Sequence, residues 1–294
     1  MNELQADLVQ AIKAYVSTSP LNRLRDIDGS PIWEEPLVGF ADGDDPLFDL
    51  FKSVVTPEHM TPREVLAGLA AGNDEAQAFP RVGVVSWILP AAAATRLSNR
   101  QMVDGPSVRW NLTRFQGEEF NDGLRRHVAG LLEGRGLLAV APVLGQGFTR
   151  TRGPRGMAST WSERHAAYAA GLGTFGLSDG LITARGIAHR CGSVVVNAGW
   201  PAGPRLYVDH REYCPYAVDG SCGVCIERCP GGAIGPEGHD KDRCQQYIRV
   251  KLAEWLTRPG YGGDYLACGL CQTGVPCEAR IPAGVGAAGA STPR

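Results

Sequence analysis

Hydrophobic positions recur at helical spacing in several parts of the chain. Near the N-terminus an apolar residue stands at every fourth position, which predicts an amphipathic helix. These residues are Leu4, Leu8, Ile12 and Val16. Residues 46–69 have helical spacing in pieces that Pro57 and Pro62 interrupt. Further helices are predicted for residues 117–132 and for a segment from a cap at Ser159 or Thr160 to about Ala170.

Runs of β-branched and apolar residues lie between these helices and predict strands. The clearest run is residues 81–89 (RVGVVSWIL), which ends at Pro90 and predicts a buried strand. Shorter strands are predicted for residues 136–143, 180–183 and 191–197. Because helices and strands are intermixed, the pattern predicts an α+β fold.

A change of composition near residue 199 indicates a second domain. Pro, Gly and Cys become frequent from this point, whereas the preceding part holds a single cysteine, Cys191. We expect an α/β domain at residues 1–205 and a cysteine-rich domain at residues 206–283. Residues 284–294 are mostly Ala, Gly, Ser and Pro and are predicted to be a loose tail.

The overall composition is that of a globular protein with a sizeable core. The chain has 294 residues, of which 44% are hydrophobic, and a formal net charge of -2, which gives no bulk attraction for nucleic acid. No signal peptide is apparent, and the longest apolar run, residues 82–94, is too short to span a membrane. We therefore expect a cytoplasmic protein with no membrane partner. In that compartment dense cysteines bind metal more often than they form disulfides.

Eight of the nine cysteines lie close together near the C-terminus. They are Cys214, Cys222, Cys225, Cys229, Cys244, Cys268, Cys271 and Cys277. The segment 222–230 has the Cys-x-x-Cys-x-x-x-Cys-Pro spacing of bacterial ferredoxins, in which the cysteine before proline binds the other of two clusters. Eight thiolates are enough for two [4Fe–4S] clusters. The pattern therefore predicts a protein that transfers electrons.

The crossing rule assigns four cysteines to each cluster. The first cluster takes Cys214, Cys222, Cys225 and Cys277, and the second takes Cys229, Cys244, Cys268 and Cys271. The first ligand normally stands three residues before the second, but position 219 is occupied by aspartate. Asp219 is therefore an alternative first ligand, which would leave Cys214 free.

Two other uses of the cysteines are open. Two zinc sites with four thiolates each would also need eight cysteines. Zinc ribbons, however, separate their Cys-x-x-Cys pairs by roughly 15–20 residues, and the interval between Cys225 and Cys268 is far longer. A disulfide framework fits a reducing compartment poorly. Iron–sulfur clusters are the favoured interpretation.

A glycine-rich segment, residues 145–156 (GQGFTRTRGPRG), carries Arg150, Arg152 and Arg155. One interpretation is a solvated loop. The other is a contact to a phosphate or another anion, from a cofactor tail or a substrate.

Residues 170–183 (AGLGTFGLSDGLIT), followed by the cysteine run, resemble the signature of epoxyqueuosine reductases and reductive dehalogenases. The end of the run, residues 268–277 (CGLCQTGVPC), resembles the shorter members with two clusters, and the resemblance covers about residues 158–281. It implies a nitroreductase-like cofactor domain followed by a bacterial ferredoxin-like domain with two clusters. It also implies a cobalamin above the nearer cluster, an external electron donor of the ferredoxin or flavodoxin type, and a small organic substrate.

The resemblance also implies residues for the second cofactor. Gly171, Gly173 and Gly176 would lie where the backbone approaches the corrin, and Arg190 would match a basic position before a strand. A tight turn is the alternative explanation for the glycines. Flavin is an alternative cofactor, and an electron-transfer or reactivating protein that serves a partner is an alternative function. A dinucleotide site at residues 171–176 is disfavoured, because its glycines end a helix and do not open one.

The sequence departs from the epoxyqueuosine enzymes where these have a catalytic aspartate, since residues 157–160 (MAST) hold no acid. A C-terminal helical domain that helps those enzymes to hold tRNA is not expected here, so nucleic acid is an unlikely partner on this reasoning. The catalytic residue is unassigned. Glu163, His165 and Tyr168 are candidate proton donors, although polar helix residues such as these are more often packing or surface residues. Cys191 is expected to be buried and inert.

Overall fold

A four-stranded antiparallel sheet lies at the centre of the structure, a computed structural model that describes residues 1–69, 79–201, 203–264 and 266–285. In spatial order the strands are β1 (Leu37–Asp42), β2 (Gly83–Pro90), β8 (His189–Val196) and β3 (Ala139–Val140). Every residue of β2 is buried, which explains its continuous apolar sequence. The predicted strands at residues 81–89 and 191–197 are confirmed as the two middle strands.

Helices cover both faces of this sheet. They are α1 (Glu3–Thr18), α2 (Leu47–Val54), α3 (Pro62–Leu69), α4 (Ala93–Arg100), α5 (Val108–Glu133) and α6 (Glu163–Ala169). On one face Ile12 and Phe120 pack with Trp87, and on the other Phe48 packs with Val84. Successive residues of β2 therefore contribute to opposite cores, as the two-residue period of a strand requires.

The predicted N-terminal helix is confirmed, and its first turn is closed by reciprocal hydrogen bonds between Asn2 and Gln5. The helical pieces at residues 46–69 are confirmed as α2 and α3. Pro62 begins α3 because proline needs no partner for its nitrogen in the first turn.

Helix α5 begins at Val108 and not at residue 117 as predicted. Ser107 caps it by accepting a hydrogen bond from the backbone N–H of Trp110 at 3.2 Å. Its first turns were missed because they contact the cysteine-rich region through polar groups. Asn111, for example, is fully buried and donates to the carbonyl of Gly262.

The helix predicted near residue 160 begins later than expected. Its cap position is Ser162, whereas the Ser159 hydroxyl donates to the carbonyl of Trp161 and the Thr160 hydroxyl accepts from the backbone of Thr149. The glycine-rich segment contains β4 (Arg150–Gly153), which forms a hairpin with β5 (Gly156–Ser159). The prediction of a cap at Ser159 or Thr160 was wrong because both residues stabilise this hairpin.

A second hairpin joins β6 (Gly173–Phe175) to β7 (Leu181–Thr183). The β7 strand was predicted, but β6 was not, because it begins in a glycine-rich signature. The strand predicted at residues 136–143 is short, since only Ala139–Val140 pairs with the sheet and a 3₁₀ turn follows at Pro142–Leu144. Pro142 has no N–H for a sheet hydrogen bond.

The cysteine-rich region consists of short elements. They are α7 (Pro215–Asp219), α8 (Val224–Glu227), β9 (Ile234–Gly235), β10 (Gly238–His239), α9 (Lys241–Gln246), a π-helical turn (Tyr247–Lys251) and 3₁₀ turns (Ala253–Thr257 and Leu270–Gln272). The intermixed helices and strands confirm the α+β character. The nitroreductase-like and ferredoxin-like labels and the boundary near residue 205 stay predictions, and most of the predicted tail, from residue 286, lies outside the described residues.

Within the described ranges, no helix has both the length and the apolar composition of a membrane span.

Candidate metal-cluster site

Four cysteines from three segments line one small cavity. They are Cys214, Cys222, Cys225 and Cys277, the set that the sequence assigns to the first cluster. The cavity is narrow, with a volume of about 20 Å³, and Ile182, Ile187 and Val275 supply apolar parts of its wall. A fifth cysteine, Cys271, also lines it. The fold therefore brings thiols that are far apart in sequence around a common space.

The unusual interval between Cys214 and Cys222 is occupied by helix α7. Cys214 stands at the cap position of this helix, and Gly220 ends it with φ 77°, a left-handed conformation that favours glycine. Asp219 is exposed and accepts a hydrogen bond from the backbone N–H of Ser221 at 2.8 Å. Among the described residues, Asp219 is not part of the cavity wall.

The other four cysteines form a second group. Burial and the nearby Cys229 raise the pKa of the Cys244 thiol to about 11. Burial, with Cys244 and Cys229 close by, raises the pKa of Cys268 to about 12. Burial also raises the pKa of Cys271, which lies within electrostatic reach of Cys268 and of Cys225. Cys271 is thus the point where the two groups meet.

The electrostatics of the first group suit a cationic ligand. Burial, with Cys214 and Cys222 nearby, raises the pKa of Cys225 to about 11. Burial, with Cys225 and Cys214 nearby, raises the pKa of Cys277 to about 12. Thiols gathered in an apolar space resist deprotonation unless a positive charge compensates, and a metal centre supplies that charge. The donor set therefore fits an iron–sulfur cluster.

The thiols surround a space and not a point. In the described ranges no three His, Cys, Asp or Glu side chains converge closely enough to hold a single metal ion. A tetrahedral zinc site needs four sulfurs at about 2.3 Å from one centre. A multi-atom cluster requires a wider arrangement of its ligands.

Glu278 fixes the segment that carries Cys277. Its carboxylate is buried and accepts hydrogen bonds from Arg100 at 2.7 and 3.1 Å and from the backbone N–H of Gly274 at 2.6 Å. The carbonyl of Cys277 accepts from the backbone N–H of Ile187 at 2.8 Å. Sequence reasoning missed Glu278, for which the one signal is an acid directly after the last cysteine.

Asn99 at the end of α4 holds the segment of Cys268. Its side-chain amide donates to the carbonyl of Cys268 at 3.3 Å and to the hydroxyl of Thr273 at 2.9 Å. Between the last two Cys-x-x-Cys cysteines, Gly269 has φ 65°, and a Cβ there would lie 2.0 Å from the indole of Trp110. Only glycine fits this position, because the helix α5 side chain packs directly on the backbone.

The glycines of the signature have packing roles. Gly171 has φ 77°, and a Cβ there would lie 2.8 Å from the carbonyl oxygen of Pro204. At Gly173 a Cβ would lie 2.1 Å from the backbone carbonyl oxygen of Ile182. At Gly176 a Cβ would lie 3.3 Å from the side chain of Ile182. The space that a side chain would occupy at these glycines is filled by atoms of Pro204 and Ile182.

Arg190 lies on β8, where its guanidinium is 3.9 Å from the carboxylate of Glu118. In the described structure, Gly171, Gly173, Gly176 and Arg190 thus all have contacts within the chain. Their role in binding a corrin stays a prediction.

Glu163 belongs to a buried ion-pair network beneath the sheet. Its carboxylate lies 3.0 Å from the guanidinium of Arg125, which also contacts Glu118 at 2.8 Å and Asp122 at 2.7 Å. Ser193 donates a further hydrogen bond to Glu163. Burial raises the pKa of Glu163, and Arg125 opposes this rise. These contacts make Glu163 a structural anchor in the described fold.

His165 and Tyr168 share a face of α6, as their spacing predicted. Both rings contact Phe175, with centroid distances of 4.7 and 5.6 Å. Burial lowers the pKa of His165 well below its ordinary value, and its Nδ1 lies 2.7 Å from the Ser162 hydroxyl. Tyr168 stacks on Tyr207 at 5.2 Å. His165 is therefore a neutral ring at pH 7.

Cys191 is separate from the eight clustered cysteines. It is buried on β8, and burial raises the pKa of its thiol to about 12. Such a thiol is unreactive at neutral pH.

Solved structures similar to this chain are epoxyqueuosine reductases, one of the families that the signature resembles. A selenomethionine-labelled one is 17% identical, with a TM-score of 0.47 over 94% of this chain and 66% of its own length. That of Bacillus subtilis, with its catalytic aspartate loop swung out of the active site, is 16% identical, with a TM-score of 0.44 over 94% and 65%. A third, 17% identical with a TM-score of 0.47 over 94% and 65%, holds an epoxyqueuosine-modified tRNA-Tyr stem loop.

The chain thus spans just under two thirds of the length of these structures, and at this distance the likeness assigns no activity. No family model and no curated protein matches the chain.

Proposed function

We propose that this chain is an iron–sulfur oxidoreductase that binds two [4Fe–4S] clusters and relays electrons to a second cofactor, cobalamin, where a small organic substrate is reduced. The observation that carries the proposal is the shared cavity of Cys214, Cys222, Cys225 and Cys277. The second cluster is assigned to Cys229, Cys244, Cys268 and Cys271. Two clusters supply one-electron transfer when bound.

The position of Cys271 supports transfer between the clusters. It is assigned to the second cluster, yet it lines the cavity of the first. Clusters bound to these two sets would be close neighbours. The wall beside the thiols is apolar and includes Ile182 and Val275. Low polarity and hydrogen bonds to the sulfurs are the means by which a protein adjusts a cluster's reduction potential.

Residues around the thiols have positioning roles in this proposal. The backbone N–H of Ala233 donates to the sulfur of Cys229 at 3.2 Å, which stabilises a thiolate there. Glu278 and Asn99 hold the segments of Cys277 and Cys268 against the first domain. The donor set is therefore supported by contacts from outside the cysteine-rich region.

The cobalamin part of the proposal depends on the sequence resemblance. Gly171, Gly173 and Gly176 have packing explanations, so no chemical step is assigned through a corrin. The same packing favours a second candidate function, an electron-transfer protein that passes electrons to a partner. A flavin in place of cobalamin is the third possibility, and an external ferredoxin or flavodoxin is the proposed electron donor in each case.

The tRNA stem loop in one of the similar structures conflicts with the expectation that nucleic acid is an unlikely partner. A modified tRNA stem loop therefore belongs among the candidate substrates, beside small organic molecules. Substrate assays should include both classes.

Metal analysis of the protein purified without oxygen, from cells grown with cobalamin, tests the proposal. About eight irons and one cobalt per chain are expected. About eight irons without cobalt, and no uptake of added cobalamin, would reject the corrinoid part and favour the electron carrier or, if flavin is extracted, a flavin enzyme. Zinc in place of iron would reject the proposal as a whole.

A further inference from the structure

A group of basic side chains surrounds Asp179 between the β4–β5 hairpin and the cysteine-rich region. Asp179 has φ 59°, a left-handed conformation that is uncommon for a residue with a side chain. Its carboxylate lies 3.5 Å from the guanidinium of Arg155 and 3.9 Å from the ring of His239. Its carbonyl accepts a hydrogen bond from Arg164. Side chains from three segments distant in sequence therefore meet at this turn.

Lys241 at the start of α9 adds another cation. Within the described part of the chain its ammonium has no hydrogen bond or ion pair. Burial and the charges of Arg164 and Arg155 lower the pKa of Lys241, whereas Asp179 opposes this shift. Lys241 is thus half-buried among like charges, without a carboxylate of its own.

The neighbouring acid does not neutralise the group. Asp242 follows Lys241 but forms its ion pair with Arg152 on the hairpin. Arg155 therefore pairs with the carboxylate of Asp179, Arg164 donates to its carbonyl, and Lys241 has neither contact. Arg164 and Lys241 are half-buried and the Arg155 side chain is 41% exposed, so an anion can reach these cations from solvent.

The hairpin tip is shaped to fit this junction. Gly156 at the tip has φ 89°, and a Cβ there would lie 3.5 Å from the Asp242 carboxylate. At Gly238 a Cβ would lie 2.6 Å from the guanidinium of Arg155. The close approach of backbone and guanidinium keeps Arg155 beside Asp179 and directed to the junction.

We propose that Arg155, Arg164 and Lys241 form a binding site for a phosphoryl group of a ligand that lies between the β4–β5 hairpin and α9. These cations suit a phosphoryl group, whether a phosphodiester with about one negative charge or a monoester with roughly -1.5 to -2. Guanidinium groups also bind phosphate oxygens in a bidentate manner. The site lies near His165, whose pKa is lowered first by burial and then by nearby charges that include Arg164 and Lys241. The inference does not depend on the identity of the second cofactor.

Acetylation of lysines tests this site without measuring activity. The anaerobic protein with its clusters is treated with a limiting acetylating reagent, with and without inorganic pyrophosphate, and modification at each lysine is measured by mass spectrometry. Lys251, which is exposed, is the internal control. At pyrophosphate concentrations ten times the dissociation constant, acetylation of Lys241 should slow about tenfold and that of Lys251 should not change.

Matched variants separate a built site from general electrostatics. Arg155→Gln and Arg164→Gln should each raise about tenfold the pyrophosphate concentration that gives half-maximal protection of Lys241. Arg258→Gln, which removes an arginine near Trp255, should have no effect. Equal protection of Lys241 and Lys251, equal protection by sodium chloride at the same ionic strength, or full protection in both site variants would overturn the proposal.

Two further probes identify the source of the phosphoryl group. Cobalamin carries a phosphodiester in its nucleotide tail, and cobinamide lacks that tail. Protection of Lys241 by cobalamin but not by cobinamide would support a cofactor tail at this site. Protection by a tRNA stem loop would support a nucleotide substrate.

Discussion

The sheet region and the cysteine-rich region of this molecule are stabilised in different ways. In the first, the 26-residue helix α5 and a fully buried strand, β2, bury large apolar side chains on both faces of a sheet. In the second, the longest described α-helix is α9 with six residues, and the strands have two residues each. Elements this short do not form alone in water. Large apolar cores thus explain the first region, whereas the second has smaller apolar clusters and polar anchors.

The largest effect that separates the two regions is expected from Phe120→Ala. Phe120 is fully buried between α5 and the sheet, so its truncation should lower the free energy of unfolding by about 4 kcal/mol. Denaturant unfolding measures this loss, and iron content should stay unchanged. Leu97→Ala, at an exposed position of α4, is the control with an effect below about 0.5 kcal/mol. Release of iron by Phe120→Ala in native buffer would show that the regions are not separable.

A smaller effect is expected from Glu278→Gln at the boundary between the regions. The substitution removes the charge that binds Arg100 and Arg96, and the half-exposed Arg100 can be hydrated instead. We expect a loss of about 2 kcal/mol in unfolding free energy and faster release of iron to a chelator. Glu254→Gln is the control, because Glu254 is exposed and 3.9 Å from Arg258. Equal rates of iron release from Glu278→Gln and Glu254→Gln would contradict the anchoring role of Glu278.

The smallest expected effect is on the pH dependence of stability, through His59. Burial lowers the pKa of His59 to about 4 from 6.5, because the apolar surroundings penalise its charged form. The unfolded chain therefore binds a proton at His59 more readily than the folded protein does. Above pH 6.5 this costs no stability, and the free energy of unfolding falls as the pH drops from 6.5 toward 4. His59→Gln should reduce the loss of stability between pH 7 and pH 5 by about 1 to 2 kcal/mol. Identical pH profiles for both proteins would contradict this assignment.

What could be predicted from the sequence follows the same division. Strand β2 and helix α1 were found because their own residues contain the periodicity of a buried strand and an amphipathic helix. The spacing of the cysteines also led to the two ligand sets, which stay predictions. Helix α6 was placed too early, because Ser159 and Thr160 have polar partners in a hairpin that spacing does not reveal.

The supporting residues could not be predicted from local patterns. Glu278 and Arg100 are far apart in sequence and meet only in the folded chain. Asn99 and Trp110 contact the loop of Cys268 across a similar distance. Such contacts have no periodicity and no motif, so they become visible only with the tertiary structure.

The most direct test of the central claim is the iron content of three matched cysteine variants, measured on protein purified without oxygen, with electron paramagnetic resonance of the reduced samples. Cys277→Ser and Cys244→Ser remove one ligand from each proposed set, and each should lose about half of roughly eight irons, with a different cluster signal remaining. Cys191→Ser should keep all of its iron and both signals. Loss of iron from Cys191→Ser, or full iron in both other variants, would contradict the account.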